Sequence, residues 1–252
     1  MRTMTMIAAM AMLAVPTVAT AQDITIAGAV ENVGARSESN VAMDEHRHPA
    51  RMLEFIGLEP GMDVLDIAGA NLYWAQIMAP VVGETGSIVI WSPNEFYSDE
   101  AKAGLAAFSA ANPRVVGINS EFETPRLGSN RYDLLLINLD YHDAYWESER
   151  FGIERMEPRD WAKRLYDALR PGGVMGLADH SAKAGAEPRA SVEAAHRIDP
   201  AVVRADMEAV GFVFEAESDL LANPDDDLET NVFDPAIRGK TDRFLMRFRK
   251  PE

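Results

Sequence analysis

The chain has no cysteine, so no disulfide can brace it and a lipoprotein anchor is excluded for want of a residue to acylate. Positive charge is scarce: 24 Lys and Arg stand against 40 Asp and Glu, a formal charge of −16. Such a surface repels nucleic acid and anionic membranes, and no basic stripe offsets it. Internal repeats and low-complexity tracts are absent. Long hydrophobic runs are missing as well. The longest, Met4–Val15, falls short of the roughly 20 residues that span a bilayer. With Arg2 before it and the small-x-small step Ala19–Ala21 after it, this run predicts a secretory signal peptide, residues 1–21, cleaved after Ala21. The mature protein is then expected to be periplasmic or secreted, without stable membrane anchoring.

What is present suits one globular domain. The chain has 252 residues, 47% hydrophobic and 25% charged, enough for one sizeable core. Residues 22–43 read as a polar N-terminal arm, and residues 44–252 as a single domain. Asp44–Gly57 reads as a helix whose regular part begins at Pro49. Then the pattern alternates. Strands are predicted at Asp63–Ala68, Ser87–Trp91, Val115–Asn119, Tyr132–Leu139, Gly173–Ala178, Phe212–Ser218 and Arg243–Lys250. Helices are predicted at Tyr73–Val82, Ser98–Ala111, Pro158–Leu169 and Pro200–Val210. Continuous apolar strands alternating with helices mean an α/β fold, a Rossmann-like doubly wound sheet, mostly parallel. The last strand alternates instead and follows "GKTD", which fits an antiparallel C-terminal strand.

Ligands of such sheets lie beyond the carboxyl ends of the strands, where strand order reverses. The residues there are Asp66, Ala68, Gly69 and Ala70 after the first strand, and Ser92–Asn94 after the second. Ser120 and Glu121 follow the third strand. Asn138, Asp140, His142 and Asp143 follow the fourth, and Asp179, His180 and Ser181 the fifth. Imidazoles and carboxylates collect on one rim. His142, His180, Asp140 and Asp179 are the candidate catalytic groups, His196 and Asp199 being able to approach from the next segment. A histidine near its ordinary pKa can relay a proton. The Asp/His pairs are adjacent in sequence, which is no recognised metal spacing, so no metal ligand set is assigned. His46 and His48 can close over the pocket or form a solvated helix start, the second being favoured. Asp225–Asp227 reads as a solvated turn in preference to a calcium site, and Arg238 and Lys240 as partners for Asp234 or Asp242 in preference to a hold on an anionic substrate.

The order "PGMDVLDIAG", "GSIVIWSP", "YDLLLINLDYHD" and "LRPGGVMGLADHS" resembles a class I S-adenosylmethionine-dependent methyltransferase. More narrowly, "DEHRHP", "ADHSA", "HRIDP" and "VFDPAIRGKTDRFLMRFRKP" are similar to an exported bacterial group of predicted methyltransferases. The resemblance covers nearly all of the mature chain. It implies S-adenosyl-L-methionine as cofactor and a small-molecule substrate. Asp66 would orient the turn that holds the methionine part, where Ala68, Gly69 and Ala70 offer backbone N–H groups. Ser92 and Asn94 would lie by the ribose, Glu121 by the adenine and Asn138 by the sulfonium.

Two departures stand against that pattern. Ala70, Asn71 and Leu72 occupy the stretch where the family carries glycines, and the side chain of Leu72 can fill cofactor space. The acid that usually holds the ribose after the second strand is missing, Glu95 being displaced. They motivate an alternative, a methyltransferase-fold binding protein with a degenerate cofactor site. The Asp/His rim motivates a metal-assisted hydrolase or lyase.

Overall fold

A computed structural model describes residues 24–252; the segment read as a signal peptide lies outside them. Seven strands form one sheet: β1 (Asp63–Ile67), β2 (Ser87–Pro93), β3 (Val115–Ser120), β4 (Tyr132–Asn138), β5 (Leu169–His180), β6 (Val213–Ser218) and β7 (Arg243–Arg249). Their order is β3-β2-β1-β4-β5-β7-β6. Pairs through β5 are parallel, while β7 runs antiparallel to both β5 and β6. The predicted fold class therefore holds, with the C-terminal strand as its reversed member.

Burial on both faces explains the unbroken apolar strands. In β4, Leu134–Ile137 are all fully buried. Leu135 and Ile137 join one apolar cluster, with Trp161 and Leu165 of the helix Pro158–Ala168. Leu134 and Leu136 join the cluster on the other face, with Ile77 and Met78 of the helix Tyr73–Val82. Period-2 alternation sends neighbours to opposite faces, so each needs an apolar cover.

Local chemistry sets the helix boundaries. Ser98 Oγ accepts from the Ala101 backbone N–H, capping Asp99–Ala111. Pro158 and Pro200 open their helices at the first turn, where no backbone donor is needed. Gly57 and Gly211 close helices in the left-handed conformation. The predicted helix over Asp44–Gly57 is broken. His48 is left-handed, with φ of 45°, separating Asp44–Arg47 from Pro49–Ile56. The residue before a proline is disfavoured in the helical region, so Pro49 forces the break. The helix Pro188–Ala195 escaped the sequence reading.

The N-terminal arm packs onto the domain. Its helix Ile26–Glu31 lies against the helices Pro49–Ile56 and Tyr73–Val82. Further on, Arg36 makes a two-pronged ion pair with Asp44 at 2.7 and 2.6 Å. The Tyr73 hydroxyl donates to the same carboxylate at 2.8 Å. Among the described residues, no helix is long and apolar enough to cross a membrane.

Candidate active site

Strand order reverses between β1 and β4, and a cavity of about 1020 Å³ opens beyond their carboxyl ends. That is at the upper end of small-molecule sites. Ala68, Ala70 and Asn71 form one wall, Ser92 and Pro93 another, and Leu139, Asp140, His142 and Asp143 a third. His180 and His196 complete the far end. Ala42, Met43, His46 and Arg47 bring the N-terminal segment to the rim.

The turn after β1 has few glycines yet keeps the bend. Ala68 and Leu72 adopt left-handed backbone, with φ of 54° and 62°. A side chain there costs roughly 1–2 kcal/mol, so the surroundings must hold the turn. Asn71 Oδ1 accepts from the Tyr73 N–H at 3.0 Å, and the buried Asn40 donates to Asn71 O at 3.1 Å. The one glycine kept, Gly69, is obligatory: a Cβ there would meet Asp66 Oδ2 at 2.2 Å. Leu72 does not line the cavity. Its side chain packs against the apolar cluster that contains Ala75, Ile77 and Met78. The expected obstruction is therefore absent: Leu72, partly buried, packs against that cluster instead of lining the cavity.

Polar atoms on this side lack protein partners. Ser92 Oγ is buried and unpartnered on the cavity wall. Asp66 Oδ2 is also unpartnered. Burial pushes the Asp66 carboxyl up to about 8, against the opposing pull of Arg47.

The β4–β5 end is built from charge. Asp179 is fully buried. It accepts from the His142 backbone N–H at 2.8 Å and pairs with His142 Nδ1 at 2.7 Å; it also accepts from the His180 N–H at 2.8 Å. Burial lowers the pKa of His142, but the charges of Asp179 and Asp143 outweigh it and hold the ring up at about 9. His142 is thus an imidazolium at neutral pH, and the general-base role expected of it is not available in this state. His180 goes the other way. Burial, then the charges of His142 and Arg243, push it well below its ordinary value, so it is neutral. Its Nδ1 lies 2.7 Å from Thr241 Oγ1. Burial also raises the Asp140 carboxyl well above the usual range, with Asp143 adding to the effect.

Of the residues predicted from sequence, Ala68, Ala70, Ser92, Asp140, His142 and His180 line the cavity; Asp66, Gly69 and Asp179 support its wall. Asn94, Glu121 and Asn138 are not among the lining residues. Asn94 pairs with Asn119, and Glu121 is exposed. Glu95 accepts from the Phe122 N–H at 3.1 Å and does not line the cavity. The reading of His46 as a solvated helix start needs correction, since it lines the cavity. So does Asp226, which is no solvated turn residue: it holds the fully buried Arg197 at 2.9 Å in a two-pronged pair. Arg238 has no ion-pair partner among the described residues and also lines the cavity. Arg47, Arg150 and Arg243 were missed. Arg243 had a signal: it begins the reversed strand and pairs with His180 in register, so antiparallel direction delivers it to the same rim.

Comparisons with known proteins agree with this geometry. The family model described as protein-L-isoaspartate(D-aspartate) O-methyltransferase matches residues 7–116, under half of the chain. No curated protein matches. Among solved structures, an S-adenosylmethionine-dependent methyltransferase from Aquifex aeolicus is 16% identical with a TM-score of 0.58, over 82% of this chain and 92% of that one. One from Mesorhizobium loti is 13% identical with a TM-score of 0.55, over 82% and 100%. The (4+2)-cyclase SpnF is 15% identical with a TM-score of 0.56, over 88% and 86%. A cyclase among such neighbours means that this fold hosts more than one chemistry. What the likenesses establish is architecture: this chain has the Rossmann-like fold of S-adenosylmethionine-dependent methyltransferases.

Proposed function

We propose that the protein is an exported S-adenosylmethionine-dependent methyltransferase acting on a small molecule. The observation that carries this is the open cavity at the strand-order switch, with unpartnered Ser92 Oγ on its wall and the Ala68–Asn71 turn beside it. A cradle with buried, unsatisfied polar atoms fits a polar nucleotide-like ligand. The degenerate-site alternative rested on Leu72 and on the missing ribose acid: Leu72 packs against the apolar cluster and leaves the cavity clear, while Glu95 stays off the cavity wall. Export rests on the leader pattern of residues 1–21, and membership of the exported bacterial group on the sequence strings quoted above.

The cofactor, when bound, supplies an electrophilic methyl on sulfur. Ala68, Ala70 and Ser92 shape the slot that holds it, and Asp66 supports the turn from below. Arg47, Arg150, Arg238 and Arg243 also line the cavity, as do Phe96, Trp146 and Phe233. Guanidinium groups among aromatic rings suit an acceptor with an acidic group and an apolar body. Alignment of acceptor and methyl is the main source of acceleration. His180 is neutral, with one ring nitrogen on Thr241; its other nitrogen is the site for a proton leaving the acceptor. His142, whose neighbouring carboxylates hold it up at about 9, is not the group that takes this proton.

Purified full-length mature protein, assayed with labelled S-adenosylmethionine against a panel of small aromatic and aliphatic acids, tests the reading. Transfer of label to at least one acceptor, with release of S-adenosylhomocysteine, is the expected result. No binding of either cofactor form at millimolar concentration contradicts it. Mass measurement of the periplasmic protein tests export, with loss of residues 1–21 expected.

A further inference from the structure

The far end of the cavity holds an arrangement that the cofactor cradle does not use. His142, Asp143 and His196 each place one ligand-type atom within 4.8 Å of the others. Asp143 Oδ1 stands 3.3 Å from His142 Nε2 and 3.5 Å from His196 Nδ1. Although buried, this oxygen has no hydrogen-bond partner. Its approach to both nitrogens is therefore close in distance and wrong in angle for a proton between them. Atoms bound at ~2.1 Å to one ion lie ~3.0 Å apart at an octahedral angle and ~3.4 Å apart at a tetrahedral one. Two of the three edges already have that size.

The supporting shell is also in place. Asp179 pairs with His142 Nδ1 at 2.7 Å and with its backbone N–H at 2.8 Å, which fixes the ring and leaves Nε2 to face Asp143. A carboxylate behind a ligating histidine is the usual way such rings are oriented. His196 sits in left-handed backbone, with φ of 51°, at the end of the helix Pro188–Ala195. Its neighbour Arg197 is pinned by Asp226, Ser181 O and Thr230 O. A strained residue held in place by fixed neighbours is a common feature of functional sites. Trp146 and Phe233 stand edge-on to the His196 ring, each at 4.9 Å between centroids, and hold the ring from that flank.

We infer that His142 Nε2, His196 Nδ1 and the Asp143 carboxylate bind one divalent first-row transition-metal ion, open on the cavity side to an oxygen of the substrate. Two imidazoles and one carboxylate suit zinc, manganese, iron or cobalt better than magnesium or calcium, which prefer oxygen donors throughout. Loading replaces the proton on Nε2, so protons are released as the ion binds. The inference deepens the transferase reading: the ion's place in catalysis rests on that reading, and its binding does not.

The test uses full-length mature protein stripped with a chelator and titrated with Zn²⁺, Mn²⁺ and Co²⁺ alone. Calorimetry gives stoichiometry, and the visible spectrum of Co²⁺ reports the donor set. One ion per chain is expected, with affinity falling at least 100-fold in His196→Gln and Asp143→Asn, and 10–100-fold in Asp179→Asn. Circular dichroism confirms that each variant is folded; His196 and Asp143 are partly exposed, so they carry the test rather than the buried His142. If the stripped protein takes up none of the three ions, or the variants bind as the wild type does, the inference is overturned. S-adenosylhomocysteine titrated into the stripped protein keeps the readings apart: binding there upholds the cofactor site whatever the metal result, and its absence leaves the metal result standing alone.

Discussion

The two ends of the cavity are built by different means. Around Ala68–Leu72 the wall is backbone: small side chains, two left-handed residues and a pair of asparagine contacts. Around His142–Asp143 and Asp179–His180 the wall is charge, with one histidine pushed up, another pushed down and a carboxyl well above its usual range. Backbone shape suits a ligand recognised by fit, while opposed pKa shifts suit a place where protons or ions are handled. The difference teaches that loss of glycine at the first end does not by itself erase a cradle, because neighbouring segments can hold the same bend.

The sharpest way to break the comparison is at the charged end. Asp226→Ala leaves Arg197 buried without its partner and is expected to destabilise the fold by ~3–5 kcal/mol. Chemical denaturation measures it, and a loss below ~1 kcal/mol would show that this end is not held by charge. At the backbone end, Ala70→Leu should act on binding alone. It places a larger side chain on the cavity wall, and S-adenosylhomocysteine affinity is expected to fall about 100-fold, or ~2.7 kcal/mol, with an unchanged melting curve.

A pH experiment sharpens the contrast further. The Asp66 carboxyl is raised to about 8 by burial, so the folded chain keeps a proton that the unfolded chain gives up near pH 4. Stability from this group is therefore full below about pH 4 and is lost as pH rises toward 8. Between pH 5 and 7 the loss is about 2.6 kcal/mol. Asp66→Asn should remove that slope and be the more stable protein at pH 7, as read by denaturation midpoints. The smallest effect is expected at Ala68→Gly. Relief of a positive φ of 54° should stabilise the fold by ~0.5–1 kcal/mol and leave cofactor affinity intact.

Much of this was legible in the sequence, for physical reasons. Leu134–Ile137 announce a strand buried on both faces because no polar residue interrupts them, whereas "LRPGG", expected to precede the strand at Gly173, forms the irregular start of β5 itself. The rim composition was legible too, since Asp140, His142, Asp179 and His180 follow directly from strand ends. Other features were not. Pro188–Ala195 is only eight residues long and opens on a proline as other helices here do, but with Val192 and Ala195 as its buried positions it offered too few apolar residues to mark a face. The separation of His142 and His180 into charged and neutral forms depends on which groups surround each ring, which adjacency in sequence does not reveal. The fate of Leu72 depends on the cluster its side chain packs against. The pairing of Asp226 with Arg197 joins residues 29 apart, and no local pattern connects them.

A crystal structure of the mature protein with S-adenosylhomocysteine tests the central claim most directly. The account predicts the methionine part seated along Ala68–Ala70, with Ser92 Oγ hydrogen-bonded to the ribose and Leu72 still packed against the apolar cluster. Density elsewhere, or Leu72 swung into an empty slot, would contradict it.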